Sequence, residues 1–332
     1  MITVAILGGG FMGAAHAANY KALGERVRVK TVASRTAERA ARVARVVGAE
    51  VTGDLDAAIR DPAVDAVDIC LPTTLHREYA ERALAAGKSV FLEKPIALTM
   101  EDADAIVAAA TGSDAVFMVG MVLRFWPEYV ELQRLVAAGT LGRPRAVSTF
   151  RLSPPADWND WMADSSQSGG TAVDLLIHDL DQMNWLLGTP RSVYASEPTP
   201  GHLHAVVEYE EAGGIAEGSM SMPRSYPFSS SIRVLCEDAV AEYSFSAAPV
   251  EGEGNIGASS SARGLRVFPV DGEPQTVPVE SADPWGPEIE EFVSCVERRR
   301  QPAQGTGEQA SLALRTSLAA VRSLESGRPE AV

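Results

Sequence analysis

The chain opens with an apolar segment that runs directly into a glycine-rich turn. Residues 2–7 are apolar apart from Thr3, and Gly8-Gly9-Gly10-Phe11-Met12-Gly13 follows without a gap. In a G-x-G-x-x-G turn between a strand and a helix, the first glycine permits the tight turn and the second lets backbone approach a pyrophosphate. The third lets the helix pack closely on the sheet, with its N-terminal N–H groups aimed at the phosphates. The sequence therefore predicts a dinucleotide site built on Gly8, Gly10, Phe11, Met12 and Gly13.

Short apolar segments alternate with helical segments through the first 120 residues. Strands are predicted at 2–7, 27–33, 66–71, 89–92 and 115–120, and helices at 12–23, 36–47, 76–86 and 99–110. Thr99 followed by Asp102 is typical of a capping box at the start of a helix. This alternation indicates a doubly wound parallel sheet of the Rossmann type, with ligands at the carboxyl ends of the strands.

The pattern changes after Gly120. Helices are predicted at 128–138, 171–187, 285–299 and 307–325, and strands at 144–152, 192–197, 203–209, 214–222, 231–236, 239–246 and 265–270. The close spacing of these strands favours a large, mainly antiparallel open sheet in an α+β domain. We therefore predict an α/β protein of two domains, a dinucleotide-binding domain at 1–121 and a substrate-binding and oligomerisation domain at 122–332.

Composition excludes several classes of partner. The chain has 332 residues and a formal net charge of −15, whereas binding to nucleic acid or to an anionic membrane requires a basic surface. No apolar stretch is long enough to span a bilayer, and no basic segment followed by an apolar one precedes the first strand. The three cysteines are widely spaced, with no Cys/His pattern typical of a metal site, so we expect reduced thiols, no metal and a cytoplasmic location.

Glu93-Lys94-Pro95 directly follows the strand predicted at 89–92. In a doubly wound fold this places Lys94 at the carboxyl edge of the sheet, where the nicotinamide end of a cofactor would lie. A lysine there can donate a hydrogen bond to a carbonyl or exchange a proton with an alcohol. The alternative is an ordinary exposed lysine at the end of a strand.

A second motif with chemical potential runs from Gly169-Gly170 to Asp181. At 100° per residue, one helix face carries Asp174, His178, Asp181 and Trp185, whereas Asp179 points elsewhere. Two carboxylates beside one imidazole favour the charged ring and orient it. The alternative is a solvated face of charged side chains. No further ligands with metal spacing accompany His178.

Together the three motifs resemble the Gfo/Idh/MocA family of oxidoreductases, which includes inositol dehydrogenases and glucose–fructose oxidoreductase. The resemblance rests on Gly8 to Gly13, Glu93-Lys94-Pro95, and Gly169-Gly170 with Asp174 and His178. It implies that Lys94, Asp174 and His178 surround the reacting carbon and that Glu93 lies near the nicotinamide ribose. It also implies that one face of the second sheet builds a homodimer or homotetramer.

Two further segments match loops of that family. Leu71-Pro72-Thr73, followed by His76, resembles the loop over the adenosine and pyrophosphate side of the cofactor, although packing on the next helix explains His76 better. Arg124 stands where relatives carry an arginine that reaches toward cofactor or substrate. It could equally pair with acidic residues between domains.

The end of the second strand bears on the choice of cofactor. NAD-selective sites use an acidic residue there to hold the ribose 2′-hydroxyl, but this strand ends in Ala33-Ser34-Arg35. Ser34 can donate to a 2′-phosphate and Arg35 can pair with it, so NADP(H) is favoured. NAD(H) stays open because Arg35 can also stack on adenine.

The sequence thus predicts an NAD(P)-dependent oxidoreductase that interconverts alcohol and carbonyl on a sugar, inositol or related polyol. Lys94 or His178 would exchange the hydroxyl proton, and Asp174 would orient that pair. Candidate substrate contacts are Trp158, Trp161 and Asp181. One alternative is a dinucleotide-binding sensor or scaffold without turnover, and another is a reductase of an imine or diene ring.

Overall fold

Six parallel strands form the first sheet of this computed structural model, which describes residues 1–155, 160–247, 260–280, 283 and 285–332. The strands lie in the order β3-β2-β1-β4-β5-β6. Their bounds are β1 Ile2–Leu7, β2 Val27–Ala33, β3 Glu50–Thr52, β4 Ala66–Ile69, β5 Ser89–Glu93 and β6 Phe117–Gly120. Every residue of β4, β5 and β6 is buried, which explains why these strands are mostly apolar rather than alternating, with Asp68, Ser89 and Glu93 as buried polar exceptions.

Helices connect these strands and continue along the chain. They are α1 Phe11–Ala22, α2 Ala37–Val47, α3 Leu55–Arg60, α4 His76–Ala85, α5 Met100–Thr111, α6 Pro127–Ala137, α7 Asp160–Ala163, α8 Ser165–Ser168, α9 Ile177–Leu187, α10 Gly286–Arg298 and α11 Gly307–Ser326. The predicted cap of α5 is confirmed, because the Thr99 hydroxyl oxygen accepts the Asp102 N–H at 3.1 Å. The sequence analysis missed β3 and α3, which are only three and six residues long.

The first sheet reverses its winding at β1. From β1 the chain moves outward to β2 and β3, and it then returns to β4 on the other side of β1 before moving outward to β5 and β6. The carboxyl ends of β1 and β4 therefore flank a topological switch point, which is where open α/β sheets bind ligands.

The chain separates into two compact units, and each is made of two segments rather than lying on one side of the boundary predicted after residue 121. One unit is Met1–Trp126 with Ala282–Ser311, and the other is Pro127–Ser281 with Leu312–Val332. The reason lies in α10, whose apolar face joins the first core. Its contributions are Ile289, Phe292, Val293 and Cys295, which cluster with residues such as Tyr20 and Phe91.

The second unit contains a nine-stranded sheet in the order β14-β13-β12-β11-β7-β10-β9-β8-β15. The strands are β7 Pro144–Leu152, β8 Ser192–Thr199, β9 His202–Glu208, β10 Gly213–Ser219, β11 Phe228–Cys236, β12 Ala239–Ala247, β13 Ser260–Pro269, β14 Gln275–Thr276 and β15 Glu330–Ala331. Among the described residues, β10 and β7 pair in parallel and the other neighbours pair antiparallel. The prediction of a large, mainly antiparallel sheet is confirmed.

The predicted single helix over 171–187 is wrong in its first turn. Thr171–Leu175 forms a π-helical turn, closed by a 2.9 Å hydrogen bond from the Leu176 N–H to the Thr171 carbonyl, and α9 begins only at Ile177. Packing accounts for this local geometry. A Cβ on Gly218 of β10 would lie 2.4 Å from Leu176 Cγ, so the sheet approaches this turn more closely than any residue other than glycine permits.

Two smaller expectations can be checked directly. Cys70, Cys236 and Cys295 are free cysteines. Across the part of the chain that the structure describes, no helix is both long and apolar enough to cross a membrane.

Candidate functional site

The glycine-rich turn has the geometry that its sequence predicts. Gly8 adopts a φ of 124°, and a Cβ there would lie 2.3 Å from the carbonyl oxygen of Cys70 at the end of β4. A Cβ on Gly13 would lie 2.3 Å from the Gly8 carbonyl oxygen. Both positions therefore require glycine, one for its backbone conformation and both for lack of space.

Gly10 differs from Gly8 and Gly13. A Cβ built on it meets no atom within 4 Å, so the fold itself leaves this position open. Gly10 is also the N-cap of α1, where no side chain caps the helix and no acidic residue occupies the first turn. Open backbone before an uncapped helix N-terminus fits a pyrophosphate group. The residues present therefore fit a dinucleotide.

The end of β2 lies on the same edge of the first sheet. The Ser34 hydroxyl oxygen accepts the Thr36 N–H at 3.2 Å, which turns the chain into α2. The Arg35 side chain is exposed. No Asp or Glu occupies the positions from Ala33 to Ala37, so the strand end lacks the carboxylate that would hold a ribose 2′-hydroxyl.

Glu93 and Lys94 lie at the carboxyl end of β5. Glu93 is buried, and its Oε2 atom accepts the Lys94 N–H at 3.1 Å, so the two residues are held in one turn. The Lys94–Pro95 peptide bond is cis. Lys94 itself is half-buried, so part of the residue is accessible to solvent.

His76 ties this turn to the loop after β4. Its Nδ1 atom lies 2.8 Å from the Pro95 carbonyl oxygen and its Nε2 atom 2.9 Å from the Leu71 carbonyl oxygen. Burial lowers the pKa of His76, and the two carbonyls act in the opposite direction. The ring is 1% exposed, so it is a structural link between two loops at the carboxyl edge. The cofactor contact expected of His76 stays a prediction.

The sequence analysis missed a buried imidazole beneath the glycine-rich turn. His16 on α1 is fully buried, with Nδ1 2.9 Å from Asp68 Oδ2 and Nε2 3.2 Å from Glu93 Oε1. Burial on its own lowers the pKa of His16, but the charge of Asp68, the neighbouring Cys70 and the hydrogen bonds to both together outweigh burial and raise this pKa well above its usual value. The His16 imidazole therefore connects α1 with Glu93, the residue before Lys94. The one signal in the sequence is a histidine on the buried face of α1.

Glu288 of α10 completes this buried cluster. Neither carboxylate oxygen has a hydrogen-bond partner, and a ligand atom of Glu288 lies within 4.8 Å of those of His16 and Glu93. Burial, together with the negative charge of Glu93, raises the pKa of Glu288 well above its usual range. Burial therefore favours the neutral form of this carboxyl group.

In the second unit, Asp174 and His178 lie on either side of the junction between the π-helical turn and α9. Gly169 and Gly170 precede the turn with φ values of 79° and 67°, and a Cβ on Gly169 would lie 2.5 Å from Val173 Cβ. Asp174 is 5% exposed, whereas His178 is half-buried. Asp174 lies in the π-helical turn, which has more residues per turn than an α-helix. The angle between Asp174 and His178 therefore differs from the one predicted for a regular α-helix.

Asp179 points away from this junction, as predicted. Its Oδ2 atom accepts a hydrogen bond from Arg151 Nε at 2.6 Å, with both side chains buried. Arg151 belongs to β7, so this ion pair fixes α9, and with it His178, against the sheet of the second unit.

The other predicted site residues are placed as follows. Asp181 of α9 is buried, and Trp161 of α7 is half-buried. Arg124 is buried and donates from Nη1 to Gln304 Oε1 at 2.7 Å. Phe11 packs edge-on against Trp285, with ring centroids 5.7 Å apart. Trp158 lies outside the described residues.

Comparison with known proteins decides the family. Residues 2–121 match the model of the oxidoreductase family with an NAD-binding Rossmann fold, and residues 129–242 match the C-terminal domain model of the same family. The chain belongs to the Gfo/Idh/MocA family of oxidoreductases. The first unit of this Gfo/Idh/MocA protein is therefore an NAD-binding Rossmann fold.

Individual relatives cover between 70% and 98% of the chain. It is 29% identical over 312 residues to 1,5-anhydro-D-fructose reductase from Ensifer adhaerens, covering 90% of each protein. It is 29% identical over 245 residues to scyllo-inositol 2-dehydrogenase (NAD(+)) from Bacillus subtilis, covering 70% of each. Among solved structures it is similar to UDP-N-acetylglucosamine 3-dehydrogenase from Acidithiobacillus ferrooxidans, with a TM-score of 0.79 and 26% identity over 98% of each chain.

Proposed function

We propose that this Gfo/Idh/MocA protein interconverts alcohol and carbonyl on a sugar, inositol or related polyol, with a nicotinamide cofactor. The observation that carries the proposal is the position of Lys94. It lies at the carboxyl end of β5, in the same sheet whose β1 ends in the phosphate-binding turn. The names of the two curated relatives support the substrate class, since one is a reductase of an anhydro-sugar and the other a dehydrogenase of an inositol.

Three side chains carry the proposed chemistry. A bound nicotinamide supplies the acceptor for the hydride that leaves the alcohol carbon. Lys94 and His178 hold the substrate hydroxyl, and one of them takes its proton in the oxidative direction and returns it in the reductive direction. Asp174 orients His178 and stabilises its charged form. Glu93 and His76 position Lys94 through the bonds described above.

This function is tested by measuring whether the protein turns over members of a defined panel of candidate substrates. The purified full chain is incubated with inositols, aldoses, anhydro-sugars and sugar nucleotides in both directions, and the nicotinamide absorbance is followed. We expect at least one polyol or sugar to be oxidised or reduced. Tight cofactor binding without turnover of any panel member would favour a sensor or scaffold, and turnover of cyclic imines alone would favour the ring reductase.

We further propose that NADP(H) binds more tightly than NAD(H). The exposed Arg35 and the Ser34 hydroxyl at the end of β2 support this preference, because both can bind a 2′-phosphate and no carboxylate lies at this strand end. Titration calorimetry should show the preference, and Arg35→Ala should shrink it by weakening NADP(H) alone. A tighter complex with NAD(H) in the unmodified protein would overturn this proposal.

We also propose that the sheet of the second unit builds a homodimer or homotetramer. One face of three adjacent strands carries a row of exposed apolar side chains, in which Tyr194 lies opposite Val206 and Val206 opposite Ile215. They are 42%, 44% and 53% exposed. An exposed apolar patch of this kind is typical of an interaction surface. Light scattering should give a dimer or tetramer at micromolar concentration, and Val206→Lys with Ile215→Lys should shift it toward the monomer.

A further inference from the structure

Three side chains of types that can bind a metal ion lie close together on β9 and β10. His202 Nε2 lies 3.2 Å from His204 Nε2 and 3.3 Å from Glu217 Oε1. The three potential ligand atoms all lie within 4.8 Å of one another. We call these three residues the His-His-Glu cluster.

The sheet geometry explains why they meet. His202 and His204 are two residues apart on β9, so both side chains project from the same face. Glu217 of β10 pairs directly opposite His204 in the antiparallel register. Directly opposite residues bring their Cβ atoms to within about 4.5–5.5 Å of one another. The sequence alone shows only His-x-His, because the third ligand comes from a neighbouring strand.

The distances fit coordination of one ion. Zinc binds imidazole nitrogen and carboxylate oxygen at about 2.0–2.2 Å, and two ligands of a tetrahedral centre then lie roughly 3.4 Å apart. The spacings of 3.2 and 3.3 Å match that value. An ion at their meeting point would be bound by two nitrogens and one oxygen, a donor set that suits zinc, nickel and copper.

Charge on this part of the sheet also favours a cation. The segments β8, β9 and β10 contain no lysine or arginine. The formal net charge of the chain is −15. The side chain of Glu217 is 41% exposed and that of His202 20% exposed, so an ion can reach the cluster and keep water in its remaining coordination position.

We propose that the His-His-Glu cluster is a binding site for one divalent transition-metal ion, with zinc as its ordinary occupant. The site links β9 to β10 on the open face of the sheet. It lies beyond the proposed oxidoreductase function and requires neither cofactor nor substrate. Its three ligands come from one chain, and they lie on the same face of β9 and β10 as Val206 and Ile215, beside the proposed oligomer surface.

The experiment uses the full chain freed of metal by chelation. Zn²⁺ is titrated by calorimetry, and Co²⁺ is titrated while its visible absorption is followed as a report on coordination geometry. We expect one ion per chain, and a rise in Tm when Zn²⁺ is added. His204→Gln and His202→Gln should each weaken binding by at least about tenfold, which is 1.4 kcal/mol.

Glu208→Gln is the matched control. Glu208 is exposed on the same face of β9 but its carboxylate accepts a hydrogen bond from Ser192 rather than facing the cluster, so Zn²⁺ binding should be unchanged. Circular dichroism of each variant confirms that it is folded before titration. A double variant, His202→Gln with His204→Gln, that binds one Zn²⁺ as tightly as the unmodified chain would overturn the proposal. So would an unmodified chain that binds no ion.

Discussion

Arg151 Nε lies 2.6 Å from Asp179 Oδ2, and the two side chains are only 6% and 2% exposed. A buried ion pair contributes little relative to apolar residues of the same volume, but removal of one partner leaves a buried charge unpaired. We predict that Arg151→Met lowers the free energy of unfolding by about 3–5 kcal/mol. Urea unfolding followed by circular dichroism measures this loss.

Two controls separate the charge effect from lost packing. Arg151→Met combined with Asp179→Leu should recover part of the stability, because no unpaired charge remains. Arg143→Met removes an arginine that pairs with Glu237 on the surface and should change stability little. Equal losses in the single and double variants would contradict the explanation.

The buried cluster around His16 predicts a fall in stability at alkaline pH. The folded-state pKa values of His16 and Glu288 are both raised, so each group stabilises the fold fully below its unfolded pKa and loses that contribution as the pH rises through its folded pKa. The unfolded values are about 6.5 and 4.3. We therefore expect the free energy of unfolding to decrease from pH 6 to pH 9.

Glu288→Gln should flatten that decrease, because the amide keeps the shape of the neutral carboxyl group without ionising in the unfolded chain. Glu290→Gln is the matched control, since Glu290 lies on the same helix with its side chain 58% exposed and pairs with Arg26. Urea unfolding at several pH values provides the measurement. The explanation is wrong if Glu288→Gln and the unmodified chain show the same slope.

Loss of the proposed catalytic groups should affect the hydride-transfer step rather than cofactor binding. Lys94→Ala and His178→Ala should each lower the single-turnover rate by about 10²–10⁴-fold, the usual contribution of general acid–base assistance. Asp174→Asn should cost less if the carboxylate only orients its neighbour. Stopped-flow absorbance of the nicotinamide gives the rate, and calorimetry gives the cofactor Kd.

Lys88→Ala serves as the control lysine. Lys88 precedes β5 at the opposite end of the strand from Lys94, and its ammonium group donates to the Asp61 and Val64 carbonyls. The single-turnover rate of a folded Lys88→Ala variant should equal that of the unmodified chain. Normal rates in both Lys94→Ala and His178→Ala would end the proposed mechanism.

The two glycines Gly10 and Gly13 should respond to the same substitution in opposite ways. Gly13→Ala forces a Cβ to 2.3 Å from the Gly8 carbonyl oxygen, so it should disrupt the glycine-rich turn and lower Tm. Gly10→Ala meets no atom of the fold, so Tm should hold while cofactor affinity falls by roughly tenfold or more. Unchanged cofactor affinity in Gly10→Ala would show that the pyrophosphate does not approach this position.

Sequence reasoning succeeded where the determining interactions are local. The strand at Ile2–Leu7 with its glycine turn, and the cap formed by Thr99 and Asp102, depend on residues within a few positions of one another. The apolar residues Val90, Phe91 and Leu92 predict a buried strand, and this strand puts the Glu93-Lys94-Pro95 turn at its end. These features follow from periodicity and turn chemistry alone.

The features that sequence reasoning missed depend on distant parts of the chain. The π-helical turn at Thr171–Leu175 differs from an α-helix by one residue per hydrogen-bonded ring, and the close approach of Gly218 to Leu176 accompanies that difference. His16 meets Asp68 across 52 positions, and Glu288 reaches the same cluster from the C-terminal part of the chain. Neither arrangement leaves a periodic signal in the sequence.

Helix α10 affects when the nucleotide-binding unit can finish folding during synthesis. The core of the nucleotide-binding unit contains Ile289, Phe292 and Val293, which the ribosome adds only after all six strands of the first sheet. Until those residues leave the exit tunnel, Tyr20 and Phe91 lack their final apolar neighbours, and the unit is incomplete although its six strands already exist. The segment Met1–Trp126 therefore completes its core only after α10 has been synthesised, although domains generally fold as units during synthesis.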